Sequence, residues 1–299
     1  MLFERARPPS SPAPAPSTSP AARATAYTAA SPGLLPRLND LLIALLLGIL
    51  EGLTEFLPIS STGHLLIAQH WLGPKSDLFN IVIQSGAILA VVLVFRTRLA
   101  ALALGWRDRE QLDYLLKLGL AFAITALVGL PVRLLGWELP ETVAPVALAL
   151  IIGGVLMLGI ERFLAHRPGR TTIGWNVAVW VGLAQVVAGV FPGTSRSAAA
   201  IFAAMLAGAL ARPAAAEFAF LLAIPTMFAA AAFAIVEYAA DPAAPAENWQ
   251  ALGVAFVAAA ITGFAVVRWL MAWIKRRSFA PFAWYRIALG TGLLLFLPY

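Results

Sequence analysis

Residues 51–64 read Glu-Gly-Leu-Thr-Glu-Phe-Leu-Pro-Ile-Ser-Ser-Thr-Gly-His, inside a chain where ionisable groups are scarce. Their four-residue spacing puts Glu51 and Glu55 on one face of a helix. Pro58 breaks that helix, and Ser60, Ser61 and His64 follow at the start of the next one. Two carboxylates, two hydroxyls and an imidazole are costly to bury at membrane depth, and such groups mark a functional site.

The surrounding sequence fixes that depth. The chain is 61% hydrophobic and 12% charged, with a mean hydropathy of +0.83. An average soluble domain is about 45–50% apolar and about 25% charged. Repeated apolar runs, each about 20 residues long, predict an all-α polytopic membrane protein. The pI near 10.2 does not point to nucleic acid, because Lys and Arg sit at the ends of apolar segments, where they set topology. The absence of cysteine excludes disulfide and thiolate chemistry. Residues 1–37 hold eight prolines and no apolar run. They predict a disordered Pro/Ala/Ser-rich extension that lacks the apolar region of a signal peptide.

From residue 38 onward one membrane domain is predicted. An apolar stretch over 40–57 breaks at Pro58 and continues over 62–72. Spans follow at 78–96, 113–136 and 143–163. A second broken pair, 175–191 and 195–211, is interrupted at Phe191-Pro192-Gly193-Thr194, and spans at 215–238, 250–273 and 283–298 complete the chain. Sliding the broken segments over each other by 134 residues brings Gly48 onto Gly182, Glu51 onto Gln185, Pro58 onto Pro192 and Ser61 onto Ser195. The chain therefore reads as two repeats, 38–165 and 172–299, each one broken segment plus three spans.

Paired broken segments point to a site built from discontinuous helices. Each half-segment is too short for a core about 30 Å thick, so both read as re-entrant helix–loop–helix elements. With three spans per repeat the second copy enters from the opposite side, which gives an inverted-topology repeat with six transmembrane helices. One set of connections carries Arg96, Arg98, Arg107, Arg109, Arg162, Arg167, Arg170, Arg212, Lys275, Arg276 and Arg277; the other has only Lys75 and Arg133. The basic set belongs in the cytoplasm, so the first re-entrant element opens outward. The chain is expected to be multi-pass, with the site opening on the face away from the cytoplasm.

Several polar residues have ordinary explanations. Thr54 and Thr62 can bond a carbonyl one turn back. Lys117, Glu161, Arg162, Glu217, Glu237 and Arg268 lie near span ends and can snorkel. Glu51 and Glu55 are different, since like charges one turn apart repel unless a cation lies between them. Two carboxylates suit Mg²⁺ or Ca²⁺ together with phosphate oxygens. Residues 60–64 and 194–198 both open a helix after a break, and two helix N-termini aimed at one place form an anion site. This set predicts substrate contacts at Thr62, Gly63, Gly193, Thr194, Ser195 and Ser197. Arg196 adds a planar, bidentate phosphate clamp. A di- or polyphosphate fits the combination. Three nucleophiles satisfy the spacing: Ser61 activated by His64 or Glu55, His64 itself, or a metal-bound water, with Ser61 preferred.

These residues carry a resemblance. The stretch 51–64 and Pro-Gly-Thr-Ser-Arg-Ser at 192–197 are similar to the two signature motifs of the bacterial undecaprenyl-diphosphate phosphatases, the bacitracin-resistance family. The similarity extends to Val82-Ile83-Gln84, to Glu217-Phe218 with 221–225, and to Pro281-Phe282 with Tyr285-Arg286. It implies hydrolysis of undecaprenyl diphosphate to the monophosphate carrier lipid of peptidoglycan synthesis. It also implies catalytic roles for Glu51, Glu55, Ser60, Ser61, His64 and Arg196, and brings Gln84 into the substrate-binding set. The family continues its second motif as Ser-Gly-Ala-Thr, whereas this chain has Ser197-Ala198-Ala199-Ala200, without the threonine hydroxyl. Expected partners are a polyprenyl diphosphate lipid and membrane lipids, with a homodimer as a candidate assembly.

Three rivals have different requirements. A lipid flippase shares the architecture and could coexist with hydrolysis. A rhomboid-type protease needs a histidine on another span from its serine. A type-2 phosphatidic acid phosphatase needs a second histidine after the Ser-Arg pair, where this chain has Ser197 and then Ala, Ile and Phe, with no histidine.

Overall fold

A computed structural model describes residues 40–137, 142–167 and 169–297. The extension at 1–37 lies outside the described residues. Among those described there are eleven α-helices: α1 Asp40–Thr54, α2 Ser61–Leu72, α3 Asp77–Val94, α4 Arg96–Leu104, α5 Arg109–Leu134, α6 Val143–Leu164, α7 Trp175–Val190, α8 Arg196–Gly208, α9 Arg212–Ala240, α10 Trp249–Trp273 and α11 Ala280–Phe296. Five of them, α3, α5, α6, α9 and α10, are long and apolar enough to cross a membrane. With 17 residues, α11 rises roughly 26 Å at 1.5 Å per residue.

Polar residues at the helix boundaries explain where the helices begin. Ser76, Asp108 and Asn248 each cap a first turn, accepting from the N–H of Phe79, Glu110 and Ala251. Such caps satisfy amide donors that no helical carbonyl can reach. Pro213 and Pro281 occupy first turns, where the missing N–H costs nothing. The nine-residue helix α4 was not expected from the sequence. It continues from α3 after a single residue, Phe95, and carries two of the basic residues assigned to a loop.

The packing crosses the chain. Helix α10 lies against α1 and α3, α5 against α7, α11 against α6, and α9 against α3 and α8. Two glycines make close contacts of this kind. A β-carbon on Gly182 would stand 2.8 Å from the Ala121 carbonyl oxygen of α5, and one on Gly48 would run into the Ala255 carbonyl of α10. Both the glycines and their partners are separated by 134 residues.

Two residues assigned to snorkelling are buried instead. Lys117, 6% exposed, donates to Asp113 and to the Ile173 carbonyl. Glu161, 8% exposed, takes a bidentate pair from Arg212 and also accepts the Phe279 N–H. Unpaired ions at that depth would be expensive, and here each is matched. Glu217 and Glu237 pair with Arg98 and Arg133 at 3.0 and 3.2 Å, and Arg162 and Arg268 are exposed. Thr54 makes the expected bond to its own helix, at 2.7 Å from the Leu50 carbonyl.

Candidate active site

Both helix breaks use the same local device. Ser60 and Ser195 adopt positive φ, 72° and 68°, and their side chains cap α2 and α8 by accepting from the N–H of Gly63 and Ala198, each at 3.3 Å. This left-handed backbone is strained for a residue with a β-carbon, and such strain persists only where the surroundings fix it. The register differs from the 134-residue offset. Twelve positions separate Gly48 from Ser60 and thirteen separate Gly182 from Ser195, so the structural equivalent of Ser60 is Ser195, and Arg196 corresponds to Ser61 rather than to Thr62.

The device that joins the breaks was not anticipated. Arg286 of α11 is fully buried and donates only to main-chain carbonyls: Pro58 in the first break, Gly193 and Thr194 in the second, and Ala149 and Leu150 in α6, at 3.0–3.3 Å. Its rigid fork can satisfy several oxygens at once. Gly193 faces the same side: its φ is +89° and a β-carbon there would lie 2.7 Å from the Val146 carbonyl oxygen. The sequence signal is a basic residue inside the span at 283–298.

Between the breaks lies a small polar pocket lined by Glu55, Ser60, Ser61, Thr62, Gln84, Gly193, Ser195 and Arg196, with Ala188. Ser61 donates its hydroxyl proton to Glu55 Oε2, both groups being buried. Arg196 reaches across from α8, with a 3.4 Å bond from Nη2 to Gln84 Oε1 and no ion pair among the described residues, so most of its donors remain available. The N–H groups of Ser61 and Thr62 precede the first helical bond of α2, where an anion finds open donors. A second, more apolar pocket shares Glu55 and Arg196 and continues past Gln185 and Ser197 to Phe220 and Met227 of α9. Ala200, where the family pattern has threonine, lines this second pocket.

Other expected site residues stand further back. His64 lies outside the polar pocket: its Nδ1 meets the Ser60 carbonyl at 2.7 Å, and its Nε2 meets the Tyr285 hydroxyl at 2.7 Å. With Nδ1 donating to the carbonyl, Nε2 accepts from Tyr285. Gly63 gives its N–H to the Ser60 cap and packs against α6. The Thr194 N–H closes a turn onto Phe191 and its carbonyl accepts from Arg286. Ser197 bonds the Leu57 carbonyl at 3.2 Å, tying the second break to the first. Glu51 is fully buried, with its carboxylate against that of Glu55 and near Arg196, and neither of its oxygens meets a donor group among the described residues.

An all-helical, multi-pass membrane protein with a buried serine–carboxylate pair facing an arginine is the class that fold and site define. The chain belongs to the family described as bacitracin resistance protein BacA, whose family model matches residues 44–292. Among curated relatives, an undecaprenyl-diphosphatase of Xanthomonas campestris pv. campestris (strain 8004) is 60% identical over 245 residues, covering 82% of this chain and 93% of the relative. An undecaprenyl-diphosphatase of Xanthomonas euvesicatoria pv. vesicatoria (strain 85-10) is 61% identical over 245 residues, 82% and 92% of the two chains. One from Xylella fastidiosa (strain 9a5c) is 60% identical over 244 residues, 82% and 94%.

Proposed function

We propose that this protein hydrolyses undecaprenyl diphosphate to undecaprenyl phosphate and inorganic phosphate, returning the carrier lipid to peptidoglycan synthesis and conferring resistance to bacitracin. The observation that carries the reading is the Ser61–Glu55 hydrogen bond in a pocket whose opposite wall is Arg196.

The steps follow from those atoms. Ser61 Oγ attacks the terminal phosphorus while its proton passes to Glu55 Oε2. The bond to the bridging oxygen breaks, undecaprenyl phosphate leaves, and a phosphoserine remains. Glu55 passes the Ser61 proton to the departing lipid phosphate. Water then attacks the phosphoserine phosphorus, giving a proton to the freed Glu55 carboxylate, which returns it to Ser61 Oγ as the serine–phosphorus bond breaks and inorganic phosphate leaves. Arg196 and the first N–H groups of α2 and α8 hold the equatorial oxygens, where charge develops. His64, oriented by Ser60 and Tyr285, holds the first break in place and does not take the Ser61 proton.

Mg²⁺ or Ca²⁺ fits the acidic pair. Glu51 presents two buried oxygens that meet no donor group among the described residues, and hard cations take carboxylate oxygens. Glu51 and the free oxygen of Glu55 would hold it. When bound, the cation neutralises charge on the phosphate oxygens.

The surrounding architecture is read as an inverted repeat over 38–165 and 172–299, with six spanning helices and two re-entrant elements, in the bacterial cytoplasmic membrane with the pocket open to the outer face. The support is the crossed packing. The middle span of each half, α5 or α10, holds the broken helix of the other half through glycine contacts 134 residues apart.

The test is phosphate release from undecaprenyl diphosphate by the purified full chain in detergent, with and without chelator. Release that stops with chelator and returns with Mg²⁺ or Ca²⁺ supports the reading. No release from a folded protein overturns it, and leaves lipid transport without hydrolysis as the successor.

A further inference from the structure

Gln185 occupies a peculiar position. It is 4% exposed, and neither its amide oxygen nor its amide nitrogen has a hydrogen-bond partner among the described residues. A buried amide left unsatisfied is costly, so an orphan of this kind in a well-packed protein calls for a ligand. Among the described residues, Glu51 is the only other side chain with two polar atoms buried and unpartnered. The two lie 134 positions apart, on corresponding helices α1 and α7.

They share a neighbourhood. Glu51 lies beside Glu55 and Arg196, and Gln185 opens onto a pocket bounded by the same Glu55 and Arg196. No third Asp, Glu or His joins the two carboxylates, since the described residues contain no cluster of three such groups. Two carboxylates alone leave a hard cation short of protein oxygens, and Gln carbonyl oxygens are ordinary ligands of Ca²⁺ and Mg²⁺.

We propose that Gln185 Oε1 is the third protein oxygen of the cation site, supplied by the second half of the chain to the Glu51–Glu55 pair of the first. The inference rests on the cation assignment made for the phosphatase reading and adds a ligand to it. Its consequence is that neither half holds the cation alone; α1 and α7 must be brought together for the site to exist.

Glutamate and leucine at position 185 separate the ideas. Detergent-purified full chain, without substrate, is titrated with Ca²⁺ in a calorimeter, and thermal unfolding with and without Ca²⁺ is followed in parallel. The wild type should take up one saturable ion. Gln185→Leu should weaken uptake at least about tenfold, since losing even a group that only orients a ligand costs on the order of 10–100-fold, and Gln185→Glu should tighten it by adding a charged ligand. A residue that only fills space would not split the two variants in opposite directions. If either variant fails to fold, the other still reads the sign. Unchanged Ca²⁺ affinity in a folded Gln185→Leu or Gln185→Glu protein overturns the third-ligand assignment alone. No saturable uptake by the wild type overturns the cation site itself, leaving Glu55, Ser61 and Arg196 to act without it.

Discussion

The two helix breaks are nearly the same backbone with opposite chemistry. In each, a serine at positive φ caps the next helix, and in each a carbonyl accepts from Arg286. The first break carries Glu55 and Ser61 and follows Glu51; the second carries Arg196 and follows Gln185. The acid and the hydroxyl are thus on one side of the pocket and the cationic clamp on the other. One charged set per break lets the pocket keep its carboxylates and its arginine facing each other across a space that a phosphate can enter. The division implies that damage to the first break should remove chemistry, while damage to the second should weaken hold on the phosphate.

The largest effect is expected at Glu55. Glu55→Gln removes the proton acceptor of Ser61, and loss of a positioned base costs about 10²–10⁴ in rate; initial rates of phosphate release on folded protein check it. Gln at Glu55 with near wild-type turnover would break the assignment of chemistry to the first break. Arg196→Lys comes next. Lysine keeps the charge but loses the fork, and one charge-assisted bond of about 1.5–3 kcal/mol corresponds to roughly a ten- to hundredfold loss. A rise in KM as well as a fall in kcat would sharpen the view of the second break as a holding element.

Smaller effects are expected on stability. Arg212→Lys loses one arm of a bidentate pair to buried Glu161, which costs about 1–3 kcal/mol, and should lower Tm while kcat stays unchanged. In the sequence Arg212 counts as one charge of the basic set, and the pair with Glu161 gives it a packing partner as well. Ser195→Gly removes a cap hydrogen bond and relieves a positive φ, two opposed terms each of about 1 kcal/mol. Its Tm should move by only a few degrees, and a collapse in Tm would show that the cap side chain has another essential partner.

The sequence displayed what depends on local chemistry. Proline and glycine mark the breaks, because they punctuate helices wherever they fall, and rare ionisable groups stand out in an apolar chain. Helix α4 was invisible because a nine-residue, charge-rich segment has no span-length apolar signal. The one-residue register change between the breaks was hidden because Pro58 and Pro192 align at 134, and the extra residue shows only when Ser60 and Ser195 are seen to cap. Arg286, Tyr285 and the pairing of Arg212 with Glu161 depend on which helices meet, and such contacts between distant positions leave no spacing to read. His64 shows the converse limit. Its position three residues after Ser61 permitted a catalytic pair, yet the side chain turns to Ser60 and Tyr285.

The central claim is that Ser61 takes the phosphoryl group within the pocket that the two breaks form. The direct measurement is rapid quenching of purified enzyme turning over undecaprenyl diphosphate labelled on its terminal phosphate, in acid and in parallel in alkali, which preserves phosphohistidine, followed by mapping of the labelled peptide. The account predicts an acid-stable phosphoserine at Ser61 that forms in wild type and is absent from Ser61→Ala. Label on His64, or wild-type phosphate release by Ser61→Ala, would contradict it.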